Sequence, residues 1–179
     1  MNRCFWANSN QLMQEYHDNE WGKPVHDDNV LFEFLVLEGA QAGLTWQTIL
    51  NRRGNYRKAF DNFDFIKISK YGKTKIKELL QNEGIIRNRL KIESVILNAQ
   101  KVLEVQREFG SFDKYVWSFV GHKQIKNCKL VATTNISDAL SKDLKKRGFK
   151  FVGSTICYAF MQAVGLTNDH ARDCFRHGI

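Results

Sequence analysis

Apolar positions recur every three to four residues along most of the chain, with almost no sustained alternation, and that period marks helices. Asp27-Asp28 stands before Leu31, Phe32, Leu35 and Val36, an acidic cap followed by an apolar stripe, with Gly39 and Gly43 near the end of that helix. Leu44 to Arg53 reads as a second helix and Asn55 to Phe60 as a short third. Thr74 to Asn82 carries Ile76, Leu79 and Leu80 on one face and stops at Gly84. A long helix is expected from about Asn88 to Glu108, with Leu90, Ile92, Val95, Ile96, Ala99, Val102 and Leu103 turned inward. Ser137 reads as the cap of a helix that Gly148 ends after Lys145-Lys146-Arg147, basic residues that suit the negative end of a helix dipole. Ser154 to Val164 is an apolar helix closed by Gly165, and the one strand-like run, Gly148 to Val152, is short. The expectation is an all-α fold in a single domain over residues 1–179, without linker or internal repeat.

Composition narrows the class. Of 179 residues 43% are hydrophobic and 12% aromatic, enough for one core and too many aromatics for a disordered tail. No apolar run approaches the roughly 18 residues of a membrane span. Met1-Asn-Arg-Cys-Phe-Trp6 leads into no signal-peptide core. Four cysteines without a secretory signal point to a reducing compartment, and so to thiols or metal rather than disulfides.

Charge adds an asymmetry. Residues 1–50 hold two basic and seven acidic side chains, a net charge of −5, whereas residues 51–179 hold 25 basic and 12 acidic, a net charge of +13. The basic portion is suited to a polyanion and the acidic portion to a pocket, although a merely basic soluble surface has the same composition.

Three constellations carry chemistry. Cys4 and His17 near the start, with His170 and Cys174 near the end, have the composition of a closed Cys₂His₂ zinc site that would tie the termini together. By spacing alone they equally fit ordinary surface residues, and His177 is a spare ligand. Cys128 and Cys157 need no function. Glu38 follows Phe34-Leu-Val-Leu, where a carboxylate is costly unless paired or used, in a segment that also holds Phe5, Trp6, Tyr16, Trp21 and Trp46. A flat cationic ring could stack on an indole there and bond the carboxylate, or the aromatics could simply be core. Finally, Leu79 to Lys91 joins two helices through Gly84, with Arg87, Arg89 and Lys91 beside it. Such a turn presents free backbone N–H groups to a phosphate, and an ordinary αα-turn with solvated charges has the same pattern.

Taken together, Cys4-Phe-Trp6, Tyr16-His-Asp-Asn-Glu-Trp21-Gly, Leu37-Glu-Gly-Ala-Gln-Ala-Gly-Leu-Thr-Trp46, Asn82-Glu-Gly-Ile-Ile-Arg87-Asn-Arg89, Val116-Trp-Ser-Phe-Val, the block from Ser137 to Gly153, and Asn168-Asp-His170 resemble the DNA-3-methyladenine glycosylase I family. These are bacterial base-excision repair enzymes among the helix-hairpin-helix glycosylases, and the likeness runs from Met1 to about Cys174 in order.

The resemblance implies a helical helix-hairpin-helix glycosylase-like domain whose zinc ligands are Cys4, His17, His170 and Cys174. It places Glu38 on the carboxylate that recognises the methylated base, Tyr16 on a pocket hydroxyl, Trp46 on the stacking wall, and Trp6 and Trp21 on the surrounding aromatic shell. Gly43-Leu44 falls on the segment that plugs the gap in the duplex, and Gly84, Ile85, Ile86, Arg87, Arg89 and Lys91 on the DNA anchor. The implied activity is hydrolytic, monofunctional release of 3-methyladenine from double-stranded DNA by a cytoplasmic, nucleoid-associated monomer. One structural zinc ion and no membrane are expected.

Met13 replaces a common pocket aromatic, and the stretch from His122 to Asn135 is shorter than in familiar members. Two rival readings are a non-catalytic DNA-binding module with a zinc clasp and a glycosylase for another lesion such as 3-methylguanine. A zinc hydrolase would need an open coordination position, which four protein ligands deny.

Overall fold

The computed structural model describes residues 2–127 and 131–178, and it is mostly helical, as the periodicity predicts. A 3-10 turn at Phe5–Ser9 leads into α1 (Gln11–Asn19). Then come α2 (Asp28–Gln41), α3 (Trp46–Ala59), a one-turn α4 (Phe65–Ile68), α5 (Lys73–Gln81) and α6 (Arg89–Phe109). The rest of the chain forms α7 (Phe112–Ser118), β1 (Ile125–Lys126), α8 (Asn135–Lys146), α9 (Ser154–Ala163) and β2 (Thr167–Asn168).

Helix α2 is the axis of the molecule. Every residue from Leu31 to Ala40 is buried, so the helix is enclosed on all sides rather than amphipathic. It packs against α3, α6, α7 and α9. Its own N-cap is Asp27, whose carboxylate accepts from the Val30 amide at 2.9 Å. Asp28 serves another element: its carboxylate accepts from the Phe112 and Asp113 amides at 2.9 and 2.7 Å and from Gln106 at 2.6 Å, docking the start of α7 on the start of α2.

Several boundaries differ from the sequence reading. Residues 46–59 form one helix rather than two, since a glycine inside a helix costs only about 1 kcal/mol against Ala, too little to break it. Ser137 is not the cap of α8 but the third residue inside it. Thr134 is the cap, and the two side chains bond each other's backbone N–H at 3.1 and 2.8 Å. The stretch from Gly148 to Val152 is not a strand: Phe151 is left-handed, with φ 54°, and Asn98 holds the Lys150 backbone at 2.8 and 3.0 Å. Among the described residues two strands form, two residues each and parallel, pairing Ile125 with Thr167 and Lys126 with Asn168. Cys128 lies outside the described residues, and Cys157 is a fully buried core residue.

One glycine is compulsory. Gly165 has φ +71°, and a Cβ there would sit 2.2 Å from the Lys23 carbonyl carbon. This close approach lets the 22–25 segment bond the end of α9, through Gly22 N–H to Gln162 and Val25 N–H to Val164 at 2.9 and 3.1 Å. Trp21 is thereby fixed beside α9.

Candidate functional site

A cavity of about 270 Å³ opens between α1, α2, the start of α3 and α9, lined by Trp6, Met13, Tyr16, Trp21, Glu38, Gln41, Trp46, Ala159 and Gln162. The structure thus brings together all five pocket residues expected from the sequence. Tyr16 and Trp46 face each other at 5.4 Å between ring centroids, and Trp6 meets Trp21 edge-on at 5.0 Å. Glu38 is 4% exposed and has no hydrogen-bond or ion-pair partner among the described residues. Burial lifts its carboxyl from 4.5 to about 8, so the protonated form is favoured at neutral pH. The Tyr16 hydroxyl is also unpartnered, and burial, with Glu38 and Glu20 nearby, pushes its pKa well up. The Trp46 indole N–H is buried without a partner. Three polar groups therefore converge on an aromatic slot with their bonding capacity unspent, the arrangement of a site built for a flat polar ligand.

Sequence reasoning missed Gln41, Ala159 and Gln162 in this wall. Gln162 was detectable as a polar residue directly after the apolar run 156–161 of α9. Its amide donates to Asp169 at 2.8 Å, and Tyr158 donates to the same carboxylate, one residue before His170. A second hollow of about 240 Å³ shares Glu38, Gln41 and Ala159 and runs out past Gly43, Leu44, Thr155 and Ile156. Leu44 is 40% exposed on that rim, following Gly43 with φ +79°.

Cys4, His17, His170 and Cys174 come together behind the aromatic wall, all buried, with their ligand atoms within 4.8 Å of one another. Sulfur-to-nitrogen separations are 3.4 Å for Cys174–His17 and 3.6 Å for both Cys4–His170 and Cys174–His170. Ligands at tetrahedral zinc distances are separated by about 3.5 Å, which these three separations match; His17 Nε2 also accepts from the Cys4 amide at 3.3 Å, a bond that a metal ion would displace. The outer nitrogens are already oriented, His17 Nδ1 on Asp18 at 2.8 Å and His170 Nε2 on the Trp21 carbonyl at 3.2 Å. The Ala171 and Arg176 amides donate to the Cys4 and Cys174 sulfurs at 3.3 and 3.4 Å. Burial raises the Cys4 thiol to about 11 and lowers His170 to about 4, so a bound cation would have to draw the thiolate form out. His177 is not part of the cluster; its ring lies 3.1 Å from the His170 carbonyl. The cluster supports the pocket directly, since Trp21 packs edge-on against His170 at 4.7 Å and Trp6 against His17 at 5.3 Å.

The turn between α5 and α6 is seated on α3. The Ile86 amide donates to the Tyr56 hydroxyl at 3.2 Å, Arg52 donates to the Glu83 carbonyl at 2.8 Å, and a Cβ on Gly84 would come within 2.9 Å of Asn55. Ile85 is buried, so it offers only backbone to a partner. Arg87 and Arg89 are exposed, each loosely paired with a glutamate four residues away at 3.4 and 3.2 Å. Lys91 points the other way, and its ammonium bonds the Ala40 and Ala42 carbonyls at 2.8 and 2.7 Å.

Comparison with known proteins gives a consistent picture. The family model described as methyladenine glycosylase matches residues 6–177. DNA-3-methyladenine glycosylase 1 of Escherichia coli (strain K12) is 49% identical over 179 residues, covering 97% of this chain and 96% of the relative. A crystal structure of 3-methyladenine DNA glycosylase I superposes with a TM-score of 0.95 at 50% identity, covering 98% of this chain and 100% of that one. A Y16F form of a 3-methyladenine DNA glycosylase I, solved in complex with 3-methyladenine, has a TM-score of 0.93 at 34% identity, covering 97% of this chain and 96% of that one.

Proposed function

Since the chain belongs to the methyladenine glycosylase family, we propose that it excises 3-methyladenine from double-stranded DNA by hydrolysing the N-glycosidic bond, with Glu38 and Tyr16 as the groups that read the extruded base. The observation that carries this reading is the pair of buried polar groups, Glu38 and Tyr16, left unpartnered in an aromatic slot. A base inside the duplex is out of reach, so the nucleotide leaves the stack and enters the pocket. Trp46 stacks on it, Tyr16 fixes its edge and Glu38 accepts its hydrogen bonds.

N3-methylation makes the base cationic and a good leaving group. A cation entering the pocket favours the ionised carboxylate, so Glu38 gives up its proton to solvent water as the base arrives. As the bond to the sugar lengthens, its electron pair passes to the base and the positive charge moves onto the sugar, where the anionic pocket favours it more than in the ground state, and this differential stabilisation lowers the barrier. Water attacks C1′, with the anionic site and the phosphates stabilising the oxocarbenium-like state. No lysine lines the pocket, which suits a monofunctional enzyme without strand cleavage.

Cys4, His17, His170 and Cys174 would hold one zinc ion; with all four positions taken by protein it supplies rigidity, not a nucleophile. Gly43-Leu44 on the rim fills the gap left by the base. The Gly84–Ile86 turn, with Arg87 and Arg89, grips the phosphates as the enzyme works, as a monomer, on the DNA of the bacterial cytoplasm. Among the described residues no helix is long and apolar enough to cross a membrane. Met13, buried against the cavity, makes one wall flexible, and that favours a modest tolerance for other N3-alkylated purines.

The test is chromatographic detection of free bases released from methylated duplex DNA. Release of 3-methyladenine but not 7-methylguanine is expected. Metal-loaded, folded protein that binds this DNA and releases no base would make it a binding module instead.

A further inference from the structure

Lys91 carries the third position of α6, directly after the anchoring turn, and it does not face outward with Arg87 and Arg89. Both carbonyls that it bonds, those of Ala40 and Ala42, lie at the C-terminal end of α2. They belong to the set of helix-end carbonyls that lack an intrahelical partner, and a cation there also meets the negative end of the helix dipole. Desolvation lowers the lysine pKa, in keeping with a charge committed to the interior.

The place clamped is specific. Two residues before Ala40 on the same helix is Glu38, in the pocket; immediately after Ala42 come Gly43 and the exposed Leu44 on the pocket rim. Ala42 itself, at φ −46° and ψ 115°, is where the helix ends and the rim begins. The other end of the clamp stands on the turn that Tyr56 and Arg52 fasten to α3. Lys91 does not line the base cavity.

Building on the glycosylase reading, we propose that Lys91 is a positioning residue: it fixes the Gly43-Leu44 rim and the end of the Glu38 helix in register with the DNA-anchoring turn. Phosphates gripped at the turn then set where Leu44 meets the duplex, and the pocket mouth faces the nucleotide that leaves. In this role Lys91 acts through backbone carbonyls and adds no phosphate contact.

The experiment measures affinity for duplexes with and without an abasic site across a salt series, together with the affinity for free 3-methyladenine by tryptophan fluorescence. Lys91→Met is expected to lower the preference for the abasic duplex by about tenfold, with the salt slope and the free-base affinity unchanged. A slope shallower by about 0.9, with the preference intact, would mean that one phosphate contact had been lost, and it would overturn the proposal. An unchanged variant would overturn it equally. Lys91→Arg gives a second reading should the first variant not fold. Arginine would preserve a phosphate contact in full, whereas its planar fork does not reproduce a lysine reaching two carbonyls, so a reduced preference at constant slope is expected. Wild-type behaviour in Lys91→Arg would count against the clamp. Failure of the wild-type protein to release base would instead overturn the glycosylase reading.

Discussion

The most informative single residue is Glu38, because its environment sets a measurable pH dependence. Burial raises its folded pKa to about 8 from 4.5, which favours the protonated form at neutral pH. Its contribution to stability is therefore complete below about pH 4.5 and is lost as pH rises towards 8. Capture of a cationic base needs the carboxylate, so kcat/KM is expected to rise with pH and level off above about 8. Glu38→Gln should flatten that profile and weaken excision while leaving the melting temperature near or above that of the parent. A flat wild-type profile would remove ionised Glu38 from the scheme. Glu38 was conspicuous in the sequence, a carboxylate directly after an apolar run. The inward course of Lys91 was not: three basic residues spaced two apart look alike in sequence, and only the packed end of α2 separates the third from the others.

At the level of elements, legibility followed local chemistry. The start of α2, the ends of α5 and α6, and α9 lay close to where the apolar period and the caps put them. Helices set by tertiary contacts did not. The short α7 depends on the Asp28 carboxylate, which is 84 residues distant from the Phe112 amide it accepts from. Asp28→Ala should cost about 2 kcal/mol in urea denaturation, since two helix-start amides and Gln106 lose their acceptor. A cost below about 0.5 kcal/mol would show that water replaces the carboxylate without loss. Gly165 is legible as a helix stop, but its closer constraint, contact with the Lys23 backbone, is not. Gly165→Ala combines a left-handed alanine with a backbone clash and should cost about 3 kcal/mol or more. A fall in binding of free 3-methyladenine should accompany it, because Trp21 is displaced.

For the whole molecule, the Cys₂His₂ cluster, which could hold a metal ion, and the pocket are two faces of one aromatic wall. Removing metal with a strong chelator is expected to lower the melting temperature by about 10 °C or more. Loss of base affinity should follow as Trp6 and Trp21 lose their backing. The proposed zinc site predicts one equivalent of zinc in the parent and none in Cys4→Ser or Cys174→Ser, read by atomic absorption; a full equivalent retained in both variants would refute the ligand set. The residue types of the four ligands were legible, but their convergence was not derivable from spacing. His17 and Cys174 are 157 positions apart, and only the complete fold closes so long a loop.

That separation has a consequence for how the protein is made. A chain emerges from the ribosome N-terminus first, so Cys4, His17, Trp6 and Trp21 are exposed long before their partners exist. The helices from α2 to α6 can condense early through local contacts, but the last wall of the base pocket waits for His170 and Cys174. A polypeptide released prematurely would retain Glu38 and the anchoring turn, yet it would have neither the metal clasp nor the backing of the aromatic slot. The aromatic slot thus gains its backing only once His170 and Cys174 have been translated, more than 150 positions after Cys4 and His17.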